Sequence, residues 1–249
     1  RLENTTWYPI TSSVGAASVN ANLSQLGQYA VLFEPKRELE ISKVIGPECD
    51  TNANEQALRF IHVADLHSRF GYKEQLFSRI KGHYQNAKSA QPYTLFTNGG
   101  DDYEKGTVAE QISQGLATVD AIKAMEFDVR VVGNHDYAWG PAQLLDYAND
   151  DHAIVLASNT RYVGNDENGF AAVDFAAVQV GCLKVGFFGM TSVPWNELDE
   201  PLQTAPIPDF IPDFKMNWDW TSVAQSIVNT YREDVDFMVM LSHMGIGGD

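Results

Sequence analysis

The stretch Val131-Val132-Gly133-Asn134-His135-Asp136 decides how this chain of 249 residues folds and what chemistry it can carry. A short apolar run ends in a glycine and is followed by an amide, an imidazole and a carboxylate. Such a run is typical of a buried strand that presents polar side chains at its carboxyl end. Asn134 can bind a metal through its carbonyl oxygen, His135 can donate a proton, and Asp136 can support its neighbours. The stretch therefore predicts one corner of a metal site, provided that other strand ends supply ligands beside it.

The composition indicates a chain with a sizeable core and a strongly acidic surface. Apolar residues make up 44% of the sequence, and the formal net charge is −16. Such a surface repels nucleic acid and anionic membranes, so we expect no binding to duplex nucleic acid. No apolar stretch has the length of a membrane span. A site for phosphate compounds in this chain would need local positive charge, which metal ions can supply.

The chain divides into two regions of different texture. Residues 1–56 contain two strand-like runs around Pro35-Lys36 and are predicted to form an N-terminal β extension. This extension is either a hairpin on the main domain, which we favour, or the remainder of a separate β-domain. Residues 57–249 alternate strand, loop and helix, which predicts one α/β catalytic domain. Each region holds one cysteine, and Cys49 and Cys182 form either one disulfide or two unpaired buried thiols.

Within the second region, several predicted strands end in side chains of metal-ligand type. The strands at 58–64, 93–96, 128–132 and 237–241 are followed by Asp65 and His67, by Asp101, by Asn134 and by His243. The helix after the second strand is expected to carry one apolar face formed by Val108, Ile112, Leu116, Val119 and Ile122. Sites in open α/β sheets gather at the carboxyl ends of the strands. Any one of these polar residues alone is commonly a turn or core residue, but their recurrence on successive strands predicts a metal site.

The predicted ligands suit two divalent ions. Carboxylate, imidazole and amide oxygen together accept zinc, manganese, iron, magnesium or calcium. One aspartate can bridge two ions, and two adjacent ions can activate water and hold a phosphoryl oxygen. The ions would also supply the positive field that an acidic chain needs around a phosphate group.

Four motifs in this order resemble those of the calcineurin-like metallophosphoesterases. They are Asp65-Leu66-His67, Gly100-Asp101 followed by Gly106, Gly133-Asn134-His135-Asp136, and Ser242-His243. The chain looks most like the N-terminal catalytic domain of the 5′-nucleotidase and 2′,3′-cyclic phosphodiesterase branch. The clues to that branch are Lys105-Gly106-Thr107, Ala157-Ser158-Asn159, Gly189-Met190-Thr191-Ser192 and Leu241-Ser242-His243-Met244-Gly245. The resemblance covers residues 57–249 and implies a four-layer α-β-β-α sandwich, incomplete at its C-terminus.

The resemblance also implies which residues would bind the ions. Asp65 and His67 would bind the first ion, and Asp101 would bridge the two. Asn134 and His243 would bind the second ion. Asp101 has the family spacing to the glycine that closes the second motif, whereas the adjacent Asp102 does not.

The remaining polar residues of the third motif would act on the substrate. His135 would stabilise the transition state or protonate the leaving oxygen, and Asp136 would support it. A hydroxide bridging the ions would attack the phosphorus. The implied reaction is hydrolysis of small phosphate esters, and the expected substrates are nucleotides or related phosphomonoesters. The alternatives are a phosphodiesterase or nucleotide-sugar pyrophosphohydrolase, and a catalytically silent subunit that needs a second chain.

Two features depart from the family pattern. The nucleotidase branch usually has an aspartate three residues after the motif histidine, where this chain has Ala138. Family members also carry a Gly-His-x-His motif several tens of residues beyond the position of His243, and this sequence stops at Asp249. We therefore expect a second polypeptide to carry that motif. The resemblance and the acidity of the chain together predict a periplasmic or extracellular protein.

Overall fold

The computed structural model describes most of the chain from residue 39 onward. The described ranges are 39–52, 55–69, 75–104, 106–165, 169–191 and 213–244, together with the backbone of four short strands before residue 22. Contacts divide the chain into two compact units, Arg1–Glu38 and Leu39–Asp249. The predicted boundary after residue 56 stays a prediction.

The first unit contains two antiparallel pairs of short strands, β1 with β2 and β3 with β4. Their bounds are Leu2–Glu3, Thr6–Trp7, Ser12–Val14 and Val19–Ala21. The turn expected at Pro35-Lys36, and the strand expected before it, lie outside the described residues.

The second unit contains two sheets, and the first of them has four parallel strands in the order β6-β7-β8-β9. These strands are Arg59–Val63, Thr94–Asn98, Val129–Val131 and Ile154–Leu156. The helices between them are α1 (Leu76–Ala90), α2 (Val108–Ser113), α3 (Leu116–Met125) and α4 (Pro141–Ala148). Because all four strands run in the same direction, their carboxyl ends meet at one edge, as the sequence pattern requires.

The second sheet has mixed directions and the order β14-β12-β11-β5. Its strands in chain order are β5 (Ile41–Ile45), β11 (Phe175–Val180), β12 (Leu183–Thr191) and β14 (Phe237–His243). The hairpin predicted near Gly181 is confirmed, since β11 and β12 pair antiparallel on either side of it. Outside both sheets, β10 (Thr160–Tyr162) pairs with β13 (Phe214–Met216), and α5 spans Trp220–Tyr231.

Three apolar clusters hold the layers together. Leu95, Val131 and Phe187 belong to the cluster that both sheets share. The other face of the first sheet packs on α1, α3 and α4, and the other face of the second sheet packs on α5. Alternation along β7 explains this arrangement, because consecutive side chains of a strand point to opposite faces: Leu95 enters the shared cluster and Phe96 the helical one. The α-β-β-α sandwich is thus confirmed.

The single helix expected over Val108 to Ile122 is wrong. It is two helices, because Gln114 and Gly115 take left-handed backbone angles, φ 52° and 94°, that end α2. Val108 and Ile112 keep helical spacing yet are 75% and 80% exposed. The buried side chain of α2 is instead that of Glu110.

The two cysteines are joined in a disulfide, which decides between the alternatives that the sequence left open. Cys49, after β5, pairs with Cys182 in the β11–β12 turn across 133 residues of chain. Disulfides persist mainly in oxidising compartments. Within the described ranges, no helix has both the length and the apolar character that crossing a membrane requires.

Candidate metal centre

The first two motifs lie side by side because the hydrogen-bond ladder between β6 and β7 continues beyond the strands. The N–H of Asp65 donates to the carbonyl of Gly100 at 2.9 Å, and that of His67 donates to the carbonyl of Asp101 at 3.1 Å. The N–H of Ser68 donates to the next carbonyl at 2.7 Å. Asp65, His67 and Asp101 all have left-handed backbone angles, φ 56°, 48° and 60°. Such angles are uncommon for residues with a side chain and often mark functional turns.

Two glycines bring the second and third motifs into backbone contact. A Cβ on Gly100, whose φ is 88°, would lie 2.5 Å from the nitrogen of Gly133. A Cβ on Gly133 would lie 2.3 Å from a carboxylate oxygen of Asp101. Only glycine fits at either position, and this contact places the Asp101 carboxylate directly over the turn that begins the third motif.

His243 reaches the same place from the other sheet. It ends β14, and its Nδ1 lies 2.7 Å from the carbonyl oxygen of Gly99 at the end of β7. Since a carbonyl only accepts, Nδ1 carries the proton and Nε2 faces Asp101 Oδ2 at 3.2 Å. This backbone contact fixes the orientation of the imidazole, as is common for histidines that bind metals.

The side chains form two groups that share Asp101. In one group the donor atoms of Asp65, Asp101 and His243 all lie within 4.8 Å of one another. In the other, the donor atoms of His67, Asp101 and His135 meet the same limit. We call these five residues the ligand cluster. The ring nitrogens of His135 and His243 both lie nearest to Oδ2 of Asp101, whose Oδ1 accepts the backbone N–H of His135. A carboxylate shared by two sets of donors can bridge two ions.

The ligand cluster includes five of the predicted site residues but groups them differently. Asp65 and His67, expected on one ion, fall in different groups, although His67 Nε2 is only 3.6 Å from Asp65 Oδ1. His135, expected to contact the substrate, has Nε2 3.9 Å from Asp101 Oδ2 and a side chain 42% exposed. Asn134 is half-buried in the turn just before it. The individual roles of these residues remain predictions.

When no metal is bound, the surroundings favour an ion pair between Asp101 and His243. Burial acts to raise the pKa of Asp101, but the hydrogen bond from His243 and the N–H of His135 outweigh it and lower the pKa. Burial acts to lower the pKa of His243, but Asp101 outweighs it and raises the pKa to about 9. At neutral pH, His243 must therefore lose a proton before it can bind a cation.

Asp136 sits behind the cluster, fully buried. Its carboxylate accepts hydrogen bonds from the backbone N–H groups of Gly133, Asp101, Asp102 and Tyr103, at 2.7, 3.1, 2.8 and 3.3 Å. Burial, followed by the nearby Asp102 and Asp101, raises the pKa of Asp136 to about 7, against the effect of these N–H donors. Asp136 thus holds the second and third motifs together and does not face the ligand cluster.

Asp102 also points away from the cluster. Its carboxylate accepts hydrogen bonds from Asn98 Nδ2 at 2.9 and 3.1 Å and from the hydroxyl of Tyr147 at 2.7 Å. The buried guanidinium of Arg130 lies 3.9 Å away and is bonded to Asp150. Burial raises the pKa of Asp102, and Arg130 acts against that rise. Of the two adjacent aspartates, only Asp101 is placed to bridge ions.

Two further carboxylates support the cluster, and neither was predicted from the sequence. Glu104 Oε2 lies 2.5 Å from His67 Nδ1. The buried carboxylate of Glu110 accepts hydrogen bonds from the hydroxyl of Ser68, the backbone N–H of Glu104 and the indole of Trp139. Glu110 therefore ties together the loops that carry the first three motifs. The available signal was Thr107-x-x-Glu110, a pattern typical of a helix start, where Thr107 does cap α2.

The family model of the calcineurin-like phosphoesterases matches residues 58–248, most of the chain. The chain belongs to the calcineurin-like phosphoesterase family. Among curated relatives, a snake venom 5′-nucleotidase of Crotalus adamanteus is 24% identical over 58% of this chain and 27% of its own length. An apyrase of Anopheles gambiae is 23% identical over 77% of this chain and 35% of its own.

A solved structure shares the fold of this chain. The NAD nucleotidase (NadN) of Haemophilus influenzae superposes with a TM-score of 0.62 and 20% identity, over 76% of this chain and 38% of that one. This chain thus spans about a third of the length of the curated relatives it matches. The comparisons give no support to the separate second polypeptide expected from the sequence.

Proposed function

We propose that this phosphoesterase hydrolyses phosphate esters at a centre of two divalent metal ions. One observation carries the proposal: two groups of donor atoms, each within 4.8 Å, share the carboxylate of Asp101. The donor set fits the ions, since carboxylates and imidazoles accept several divalent cations. Asp65, His67 and His243 would hold the ions with Asp101. Asn134 is proposed as a further ligand, although it is in neither group and the second group is completed by His135. Bound ions would activate water and polarise the phosphoryl group.

His135 is proposed as the residue that contacts the phosphoryl group. Its backbone N–H donates to Asp101 Oδ1 at 2.8 Å, so the main chain is fixed by the bridging carboxylate. Its ring stands at 81° to that of His67, with the centroids 5.2 Å apart, and it is the most exposed of the three clustered histidines. An imidazole so placed can donate a hydrogen bond to a charged oxygen or protonate a leaving group.

The substrates we propose are nucleotides or related phosphomonoesters. The named relatives support this class, since they are described as 5′-nucleotidase, apyrase and NAD nucleotidase. Cleavage of phosphodiesters or nucleotide sugars is the alternative within the same chemistry. We also propose an extracellular or periplasmic location, which the Cys49–Cys182 disulfide and the venom relative support.

Replacement of the bridging carboxylate tests the proposal. Asp101→Asn is expected to lower hydrolysis of a chromogenic phosphomonoester by about 10³-fold or more, because a neutral amide cannot serve two cations. The bound zinc or manganese found by elemental analysis should fall with it. Asp120→Asn, which changes an exposed carboxylate on α3, is the matched control and should change neither. A variant at Asp101 that kept both its metal and its activity would refute the proposal.

A further inference from the structure

Thr191, the last residue of β12, carries a hydroxyl that is buried without a hydrogen-bond partner. The residue is 0% exposed, and within the part of the chain that the structure describes its Oγ1 neither donates nor accepts a hydrogen bond. Burying an unpaired hydroxyl costs stability, so such groups are few in folded proteins. The hydroxyl of Thr191 therefore needs an explanation other than folding.

The main chain of Thr191, in contrast, is held on both sides by one side chain. Nδ2 of Asn159 donates to the carbonyl of Thr191, and Oδ1 of Asn159 accepts the N–H of Thr191, both at 3.1 Å. Asn159 is itself only 3% exposed. The place of Thr191 at the end of β12 is thus set by Asn159 and does not depend on the hydroxyl.

The strand register puts Thr191 beside a residue of the ligand cluster. Thr191 and His243 are the last pair in the parallel register of β12 with β14. Neighbouring strands lie about 4.8 Å apart, and consecutive side chains of a strand point to opposite faces. Phe187 belongs to the cluster between the two sheets, and Met190 belongs to the cluster on α5. By this alternation Thr191 lies on the face of β12 that is turned to the first sheet.

Gly189 shows what this face of β12 meets. A Cβ on Gly189 would lie 2.6 Å from the Cβ of Leu156 and 2.6 Å from a methyl carbon of Val131. β12 therefore passes against the ends of β8 and β9. Two residues farther along the same face, Thr191 lies at the level at which β8 turns into the third motif. His243 reaches the ligand cluster from this level as well.

The other unpartnered polar atoms lie elsewhere in the molecule. Among the described residues, such buried side-chain atoms also occur in Tyr103, Arg130 and Trp220. Tyr103 and Arg130 both pack against the ring of Tyr147, behind the ligand cluster. Trp220 begins α5. Of these residues, only Thr191 is paired in a sheet with a proposed metal ligand.

We propose that Thr191 is a positioning residue of the metal centre, and that its hydroxyl gains a hydrogen-bond partner when the centre holds its ions. A hydroxyl can donate and accept, so it can pair with a coordinating side chain or with solvent that an ion orders. The metal-free chain bears the cost of the unpaired hydroxyl, and metal binding removes that cost. This inference rests on the proposed function.

Replacement by valine tests the inference through two measurements of opposite sign. Thr191→Val keeps the branched shape of the side chain and removes the hydroxyl. In a competition titration against a chelator, zinc should bind about tenfold more weakly. In urea, the metal-free variant should be the more stable protein, with an unfolding equilibrium constant about fivefold lower, because a methyl group replaces an unpaired hydroxyl. A purely structural residue would shift both quantities in the same direction.

Two further variants control for the change itself. Thr160→Val is the matched control, because Thr160 is also buried on a strand but its Oγ1 has a partner, the hydroxyl of Tyr137 at 2.7 Å. This variant should destabilise the metal-free chain and leave zinc affinity within about twofold. Thr191→Ser retains the hydroxyl and should keep zinc affinity within about threefold of the unmodified chain.

The results that would overturn the inference differ from those that would refute the proposed function. Loss of stability in metal-free Thr191→Val would show that the hydroxyl already has a partner, and the inference would fail. Unchanged zinc affinity in the same variant would overturn the role of Thr191 and leave the proposed function intact. If the unmodified chain bound no zinc saturably, the proposed function would be refuted and the role of Thr191 with it.

Discussion

Asp101 and Asp102 are adjacent in the chain, yet their carboxylates lie in opposite surroundings. Asp101 faces the imidazoles of His135 and His243 at the edge of the sheet. Asp102 turns inward to Asn98, Tyr147 and Arg130, where it is completely buried. The backbone N–H groups of both residues donate hydrogen bonds to the carboxylate of Asp136.

The difference separates two tasks within one motif. The outer carboxylate is surrounded by groups that can bind cations, so its charge is available for chemistry. The oxygens of the inner carboxylate accept hydrogen bonds from neutral donors, with a guanidinium farther away. This carboxylate therefore helps to hold the loop in place. We call the inner set the buried network and define it by Asn98, Asp102, Arg130, Asp136 and Tyr147. Changes in the ligand cluster should therefore affect catalysis and metal binding, and changes in the buried network should affect stability first.

The largest effect expected from the buried network is at Asp136. Asp136→Ala leaves four buried N–H groups without their acceptor, and we expect a loss of about 3 kcal/mol in the free energy of unfolding. Both motifs would lose their mutual alignment, so metal affinity should fall as well. Urea unfolding of the metal-free chain gives the measurement, and Asp120→Ala on α3 gives the control. A loss below about 1 kcal/mol would contradict the role of Asp136 as the link between motifs.

The pH dependence of this effect has a defined sign. The folded pKa of Asp136, about 7, lies above the ordinary value of 3.8, so the folded state favours the protonated carboxyl. Its contribution to stability is complete below the ordinary pKa and is lost as the pH rises towards the folded one. The difference between the unmodified chain and Asp136→Ala should therefore shrink between pH 4 and pH 7. A difference that grew over this interval would show that Asp136 is ionised throughout.

Replacement of His135 tests the ligand cluster, the outer of the two sets. His135→Ala should lower kcat by about 10²-fold, because the imidazole that is proposed to contact the phosphoryl group is lost. Metal content should stay close to that of the unmodified chain. His83→Ala, on the exposed face of α1, removes an imidazole away from the site and should change neither quantity. If one ion were lost with the ring, His135 would be a ligand, as its place beside His67 and Asp101 also permits.

The edge of the sheet on which the site lies could be predicted from the sequence, but the buried network behind it could not. Strands such as β7 and β8 could be predicted because each is an apolar run that is followed by a glycine and a polar residue, Gly100-Asp101 and Gly133-Asn134. Nothing local distinguishes Asp101 from Asp102, since their directions depend on where Arg130 and Tyr147 lie after folding. The resemblance to a family supplied the order of layers and the spacing that favours Asp101.

The wrong helix, the missed carboxylate of Glu110 and the cysteine pairing that the sequence left open have a common cause. Val108 and Ile112 keep helical spacing although tertiary packing buries Glu110 instead, so periodicity predicted a continuous helix with the wrong face inside. Glu110 joins three loops that are far apart in sequence. The Cys49–Cys182 pairing likewise depends on the contact of β5 with β11. Signals confined to a few residues cannot report contacts that form only when distant segments meet.

Glu104 is expected to have a smaller effect than His135 because it acts through another residue. Its carboxylate is 2.5 Å from His67 Nδ1 and is itself 42% exposed, so water can replace part of the interaction. Glu104→Gln should weaken metal affinity about tenfold. This loss is at the low end of the range seen when residues that orient metal-binding histidines are replaced. A competition titration against a chelator measures it, with Glu233→Gln as an exposed control. Unchanged affinity would mean that the carbonyl of Tyr103, 3.2 Å from the same nitrogen, orients His67 alone.

Tyr147 gives the smallest effect and the most direct test of the division between the two sets. Tyr147→Phe removes one hydrogen bond to Asp102 and leaves its two bonds from Asn98 and the packing of the ring against Arg130. We expect a loss of about 1 kcal/mol in the free energy of unfolding and hydrolysis within twofold of the unmodified chain. Because Asp102 does not face the ligand cluster, weakening it should not move Asp101. A fall in kcat well beyond that margin, with metal content unchanged, would show that the buried network tunes the ligand cluster as well as holding it in place.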